Sequence, residues 1–330
     1  MSHLREALEL AQQGHADYEA LSNNLGAMLL TRFVESKTQS DLEGAVKIGH
    51  DVIDKTPKNH PDRSTRLSNL SHIIFTRYVA MDKLKKEDLE EAIGLAKKAA
   101  GVLSKEKYSE KANLWGYIGM LFWEKYLLKA QGANKDLNEA IKYTSKVING
   151  ANVNFTLSDI HSKLGWLGTM FLERYDLAGA NNDLEDAIGH MRDAIEATVW
   201  SGGKGYLVSD ADAGVNGLNR SSLLRGTVVL LQGSPVGKEA TSEDYIAYYT
   251  GLATMLFRRF EKDKSEEDLD EVIALVNKVA RATPDQHPQL SLLVQRMRSH
   301  ELNSQKQGLD EIGAITDRLD EVLKLRPSEE

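Results

Sequence analysis

Apolar residues recur along much of the chain at helical spacing, with a stripe that returns every three to four positions. Leu25, Leu29 and Phe33 form the first such stripe. Equivalent stripes are Leu70, Ile74, Tyr78, then Ile118, Phe122, Tyr126, then Leu167, Phe171, Tyr175, and finally Leu252, Leu256, Phe260. Seven residues before each aromatic stands a small residue: Gly26, Ser71, Gly119, Gly168 or Ala253. Two helical turns separate the two positions, so they share a face. The pattern predicts one amphipathic helix per copy, called helix A. A basic residue precedes every aromatic, at Arg32, Arg77, Lys125, Arg174 and Arg259. It falls beside the apolar stripe, so its stem should pack and its head should meet a carboxylate of the next helix.

That next helix, B, is announced by a second column. The signatures DLEGAV, DLEEAI, DLNEAI, DLEDAI and DLDEVI begin at Asp41, Asp88, Asp136, Asp183 and Asp268. The aspartate is expected at the N-cap, where a carboxylate satisfies free N–H groups at the positive end of the helix dipole. The first three intervals are about 47 residues, a period typical of helical-pair repeats. His3 to Leu8 and Gly308 to Gly313 read as degenerate terminal copies, as caps of a repeat stack usually do. All six prolines fall between the expected helices or in irregular stretches.

The fourth interval is longer than the others by about forty residues. The organisation read from this is residues 1–200 as an N-terminal cap helix plus four helical pairs, 201–240 as a glycine-rich irregular insertion, and 241–330 as a fifth repeat with capping helices. Asn219 to Gln232 could form one short helix inside the insertion. The insertion reads either as a functional loop on one face of the stack or as a decayed repeat that keeps the stack continuous.

Several submotifs resemble one kind of tetratricopeptide-like repeat. They are Ser22-Asn23-Asn24-Leu25-Gly26, Arg66-Leu67-Ser68-Asn69-Leu70, and Thr56-Pro57 through His60-Pro61-Asp62-Arg63, together with the DLE signatures. They are similar to arrays found N-terminal to caspase-like CHAT domains in fungal and bacterial proteins. The resemblance covers about residues 1–200 and 241–290. Repeats three and four depart from it, with Trp115-Gly116-Tyr117 and Leu164-Gly165-Trp166 replacing the Asn-rich start. It implies an all-α, right-handed solenoid of helix-turn-helix repeats whose A helices line a concave groove. It implies protein interaction rather than proteolysis, since a chain with no cysteine cannot supply the protease nucleophile.

Composition narrows the chemistry. The formal net charge is −8 with both signs well mixed, which argues against a nucleic-acid surface. No cysteine means no disulfide, zinc-thiolate or thiol nucleophile. No apolar run approaches the roughly 20 residues of a membrane span. Residues 1–13 lack the pattern of a signal peptide. The chain is therefore expected to act in the cytoplasm, without a cofactor or metal. The histidines form no paired metal-binding spacing, and His60 and His287 recur in inter-repeat turns as structural residues.

In a repeat protein, positions that stay constant serve folding, and positions that change are the better functional candidates. On helix A the positions away from the core stripe change. Asn24 and Asn69 become Tyr117 and Trp166, and the same face carries His72, Glu124 and Glu173. Asparagine can pair with a peptide backbone as both donor and acceptor. Tyrosine and tryptophan give large contact area at low entropy cost. These seven residues are the candidate groove site for a peptide or partner protein. The competing reading for Tyr117 and Trp166 is packing between neighbouring A helices. A second functional class is an enzyme or small-molecule site where the insertion meets the groove, using Lys204, Asp210, Asp212, His161 or His190.

Overall fold

The computed structural model describes residues 18–81, 86–104, 106–128, 133–149, 157–201, 242–282, 293–297 and 299. Ten long α-helices stand among the described residues, and no strand does. They are α1 (Tyr18–Ser36), α2 (Gln39–Lys55), α3 (Arg63–Ala80), α4 (Lys86–Val102), α5 (Tyr108–Leu127), α6 (Ala133–Asn149), α7 (Leu157–Ala178), α8 (Asn181–Ser201), α9 (Ser242–Asp263) and α10 (Glu266–Ala282). Odd-numbered helices are the A helices and even-numbered ones the B helices. The terminal copies, the second Thr-Pro/His-Pro turn with His287, and the insertion after Ser201 lie outside the described residues.

Each A helix packs on its own B helix. The helices from α1 to α6 form one compact unit and those from α7 onward a second. Within the first unit, α2 packs on α3, α4 on α5, and α1 touches α3. Within the second, α8 packs directly on α9, and α7 touches α9. Repeat five thus joins repeat four by the same B-to-A contact that joins repeats one, two and three. Among the described residues the stack passes directly from α8 to α9.

The expected core columns are buried except for Tyr175, which is half-buried. Leu70, Ile74 and Tyr78 of α3 are 1%, 0% and 0% exposed, and Ile118 and Tyr126 of α5 are similarly enclosed. Trp123 belongs to this core and stacks on Tyr126 at 5.1 Å. At two of the small residues ahead of the aromatics, helices A and B of one hairpin approach too closely for a Cβ to fit freely. A Cβ on Gly119 would come 2.5 Å from Thr144 Oγ1 of α6, and one on Gly168 would come 3.1 Å from the Ala187 carbonyl of α8.

The A-to-B turn has a backbone device that the residue pattern did not announce. Lys37, Gly179 and Lys264, each four residues after the aromatic, adopt φ of 56°, 69° and 57°. Each donates its N–H to the carbonyl of that aromatic, Phe33, Tyr175 or Phe260, at 2.7–2.9 Å. This is a left-handed cap that ends helix A. Lysine is unfavourable there, but its ammonium lies over the preceding ring, 5.8 Å from Phe33 and 5.4 Å from Phe260.

The basic residue and the aspartate meet as expected, and their geometry corrects the capping assignment. Arg77 donates through Nε and Nη2 to both carboxylate oxygens of Asp88, at 2.8 and 2.7 Å. Arg174 does the same to Asp183 and Arg259 to Asp268. Arg32 pairs with Asp41, and Lys125 with Asp136 at 3.1 Å. The aspartates do not occupy the N-cap. They sit inside the first turn, as Asp88 does in the helix that begins at Lys86. A forked guanidinium offers two charge-assisted bonds, so the carboxylate turns to helix A. In α10 the residue before the helix, Ser265, accepts the Asp268 N–H instead, at 3.4 Å.

Candidate partner-binding faces of the A helices

Within each unit, successive A helices meet along a seam that takes in residues of the core stripe as well as of its flank. Residues about one repeat apart meet there. In the first unit Asn69 Nδ2 donates to Asn23 Oδ1 at 3.2 Å. One repeat on, Ser71 Oγ donates to the Ala92 carbonyl at 2.7 Å and lies 3.4 Å from Tyr117 Oη. The His72 ring centroid is 4.1 Å from that of Tyr117, and Phe75 meets Tyr117 edge-on at 6.4 Å. Tyr78 Oη donates to Glu124 Oε1 at 3.5 Å. The second unit repeats the theme: His161 Nδ1 and Tyr248 Oη are 2.9 Å apart, and Arg258 pairs with Asp176 at 2.9 Å.

The seven residues expected to line a groove separate into two groups. Asn24 is exposed, and Asn69, His72, Trp166 and Glu173 are half-buried. Tyr117 and Glu124 are buried, at 6% and 5% exposure. For Tyr117 the structure places the ring between α3 and α5, which is the packing alternative. The physical reason lies in α5 itself. Its residues from Gly116 to Glu124 are all buried, so it lacks a polar side to present. Trp166 keeps part of its ring accessible and carries the Lys163 ammonium 4.6 Å from its centroid. Sequence reasoning missed Asn23, Ser71 and Tyr248. The signal that reveals such residues is polar or aromatic pairs about one repeat apart, rather than a single helical wheel.

Burial sets the electrostatics of the seam. It lowers the His72 pKa to about 4, so the imidazole tilted against Tyr117 is neutral near neutral pH. Burial likewise raises the Tyr117 and Tyr248 phenols well above the usual tyrosine range. Both tyrosines are therefore neutral hydrogen-bonding groups.

Of the residues considered for acid-base chemistry, only His161 and His190 are described. His161 is engaged with Tyr248, and His190 stacks on Phe171 at 5.4 Å with its Nδ1 buried and unbonded. Lys204, Asp210 and Asp212 lie outside the described residues. Among the described residues no group of His, Asp or Glu could hold a metal ion, and no helix is long and apolar enough to cross a membrane. One open cleft of about 460 Å³ lies on the first hairpin, lined by Leu25, Leu29, Lys47 and Asp51 with the Arg32–Asp41 pair. That pair is the structural contact common to the repeats, so the cleft adds no new reactive group. His60 is a turn residue, its Nδ1 accepting the Asp62 N–H at 3.1 Å.

No family model and no curated protein matches the chain. Several solved structures are similar to part of the chain. One is a Podosopora anserina putative kinesin light chain with nearly identical TPR-like repeats. It is 15% identical with a TM-score of 0.44, the match covering 79% of this chain and 98% of that one. Another is the S. pombe nuclear import adaptor Nro1, 13% identical with a TM-score of 0.39, covering 92% of this chain and 98% of that one. With its paired helices, B-to-A stacking and recurrent core columns, the fold is all-α and tetratricopeptide-like.

Proposed function

We propose that this chain is a non-catalytic interaction scaffold that holds a peptide or partner protein against its A helices. In the first unit the contact residues are Asn24, Asn69 and His72, and in the second Trp166 and Glu173. Tyr117 and Glu124 set the spacing of the A helices behind that face rather than touching the partner. The observation that supports this reading is a contrast between columns. The basic–aspartate pair that closes each hairpin is kept in all five repeats. The A-helix positions beside the seam change from repeat to repeat and leave polar groups accessible. Asn69 spends one amide hydrogen on Asn23, which leaves its carbonyl oxygen and a second N–H to pair with a peptide backbone.

The finer assignment is to the kind of array that precedes CHAT proteases, acting in the cytoplasm. The Asn-rich starts of repeats one and two and the Thr-Pro/His-Pro-Asp-Arg turn support it. In that turn Arg63 and Arg66 reach back to the Thr56 carbonyl and Oγ1 at the end of α2. The test is affinity capture from the host followed by titration of the identified partner. Asn24→Ala with Asn69→Ala, and separately Trp166→Ala, should each weaken binding by about 2 kcal/mol while the melting temperature holds. Unchanged affinity in both variants rejects this face.

A further inference from the structure

A second surface stands out in the first unit, on residues that the A-helix face does not use. Aromatic rings and lysines alternate across α4, α5 and α6. Phe122 of α5 stacks on Tyr143 of α6 at 5.9 Å and 10°. Lys97 of α4 lies 5.7 Å from the Phe122 centroid. Lys146 reaches two rings at once, 4.9 Å from Tyr143 and 5.5 Å from Trp115. Tyr108 meets Trp115 edge-on at 5.5 Å and fastens it by donating to the Lys146 carbonyl at 3.0 Å. The ribbon from Lys97 to Trp115 is therefore contiguous. Phe122 is buried beneath the ribbon and Tyr143 and Trp115 are half-buried, whereas Lys97 and Lys146 are exposed.

Charge distinguishes this ribbon from an ordinary solvated face. The chain as a whole carries −8. Lys142 is neutralised by Glu139 at 2.6 Å. Lys97 and Lys146 belong to no ion pair among the described residues, and the stretch from Lys142 to Asn149 holds no acid. Comparison of repeats supports a specific role. The positions of Trp115 and Lys146 are Ser22 and Asp51 in repeat one, Leu67 and Lys98 in repeat two, and Leu164 and Asp193 in repeat four, so packing does not require the aromatic–lysine pair. It returns only in repeat five, where Lys278 lies 4.2 Å from the Tyr249 centroid and donates to its Oη at 2.8 Å.

We propose that Lys97, Tyr143, Lys146 and Trp115, backed by the buried Phe122 ring, form a docking surface for an acidic peptide segment of a partner protein. The partner's carboxylates meet Lys97 and Lys146, and its apolar side chains or backbone lie on the Trp115 and Tyr143 rings. Such charge complementarity on an acidic protein steers a negatively charged segment to one place and repels it elsewhere.

The experiment is fluorescence anisotropy of the full chain with three probes: a short fluorescein-labelled Glu/Asp-rich peptide, a scrambled neutral peptide, and a single-stranded oligothymidylate. The acidic peptide should bind, and more weakly as salt rises. Lys97→Glu with Lys146→Glu should weaken it by about tenfold or more, and Trp115→Ala should weaken it measurably with the melting temperature monitored alongside. Lys58→Glu, which reverses an exposed charge in the turn after α2, should leave affinity nearly unchanged. Equal loss with Lys58→Glu, or no binding to the wild type at low salt, overturns the site. Preference for the oligonucleotide assigns the surface to nucleic acid and also overturns it. None of these results bears on the A-helix face, which is read with a different partner and different residues.

Discussion

At the scale of single residues, the structure separates glycines that are required from those that are incidental. Gly119 lies against Thr144, and a Cβ there would stand 2.5 Å from its Oγ1. Gly94 has nothing within 4 Å. Gly119→Ala should therefore destabilise by about 1–3 kcal/mol through overpacking. Gly94→Ala should stabilise by roughly 0.5–1 kcal/mol, since it removes only unfolded-chain entropy from a helix interior. Urea unfolding of the two variants checks both signs. His72 offers a pH-dependent counterpart. Its folded pKa of about 4 lies below the ordinary 6.5, so the unfolded chain binds the proton more readily. Stability from the neutral buried ring is present above about pH 6.5 and is lost as pH falls towards 4. Over that window the wild type should lose more melting temperature than His72→Gln. Parallel losses would mean that other groups carry the whole acid response.

At the scale of helices, the basic–aspartate pair holds each hairpin closed and, in two repeats, also reaches the preceding one. Lys125 contacts Asp136 of its own B helix and Glu90 of the previous B helix, the latter at 2.7 Å. Arg259 likewise joins Asp268 to Glu185. Asp88→Ala strands the Arg77 guanidinium, and with its partner carboxylate almost buried the cost should be about 2–3 kcal/mol. Glu271→Ala breaks an exposed pair with Arg192 and should cost less than about 1 kcal/mol. Thermal or urea denaturation that ranks the two the other way would contradict this division. The hairpin contact was legible in the sequence because each repeat prints it anew. The depth of Tyr117 was not. A helical wheel tells which side a residue faces, whereas burial between α3 and α5 depends on a neighbour one repeat away. The left-handed lysine caps escaped notice for a related reason: Gly179 announces such a conformation, and Lys37 and Lys264 do not.

At the scale of the whole molecule, α8 packs directly on α9. Replacing residues 202–241 by a short Gly/Ser linker should preserve helical content and the melting transition, measured by circular dichroism. The five-repeat organisation was readable because its period is written in the DLE column, while the placement of the insertion's own residues had no such repeated pattern to fix it. The central claim is the proposal that the A helices hold a peptide or protein partner. Hydrogen exchange of the full chain, with and without its purified partner, measures this most directly. The account predicts that slowed exchange on binding concentrates in α1 and α3 around Asn24, Asn69 and His72, and in α7 around Trp166 and Glu173, with the variants at those residues losing it. Protection confined to the B helices, or unaltered by those variants, would contradict it.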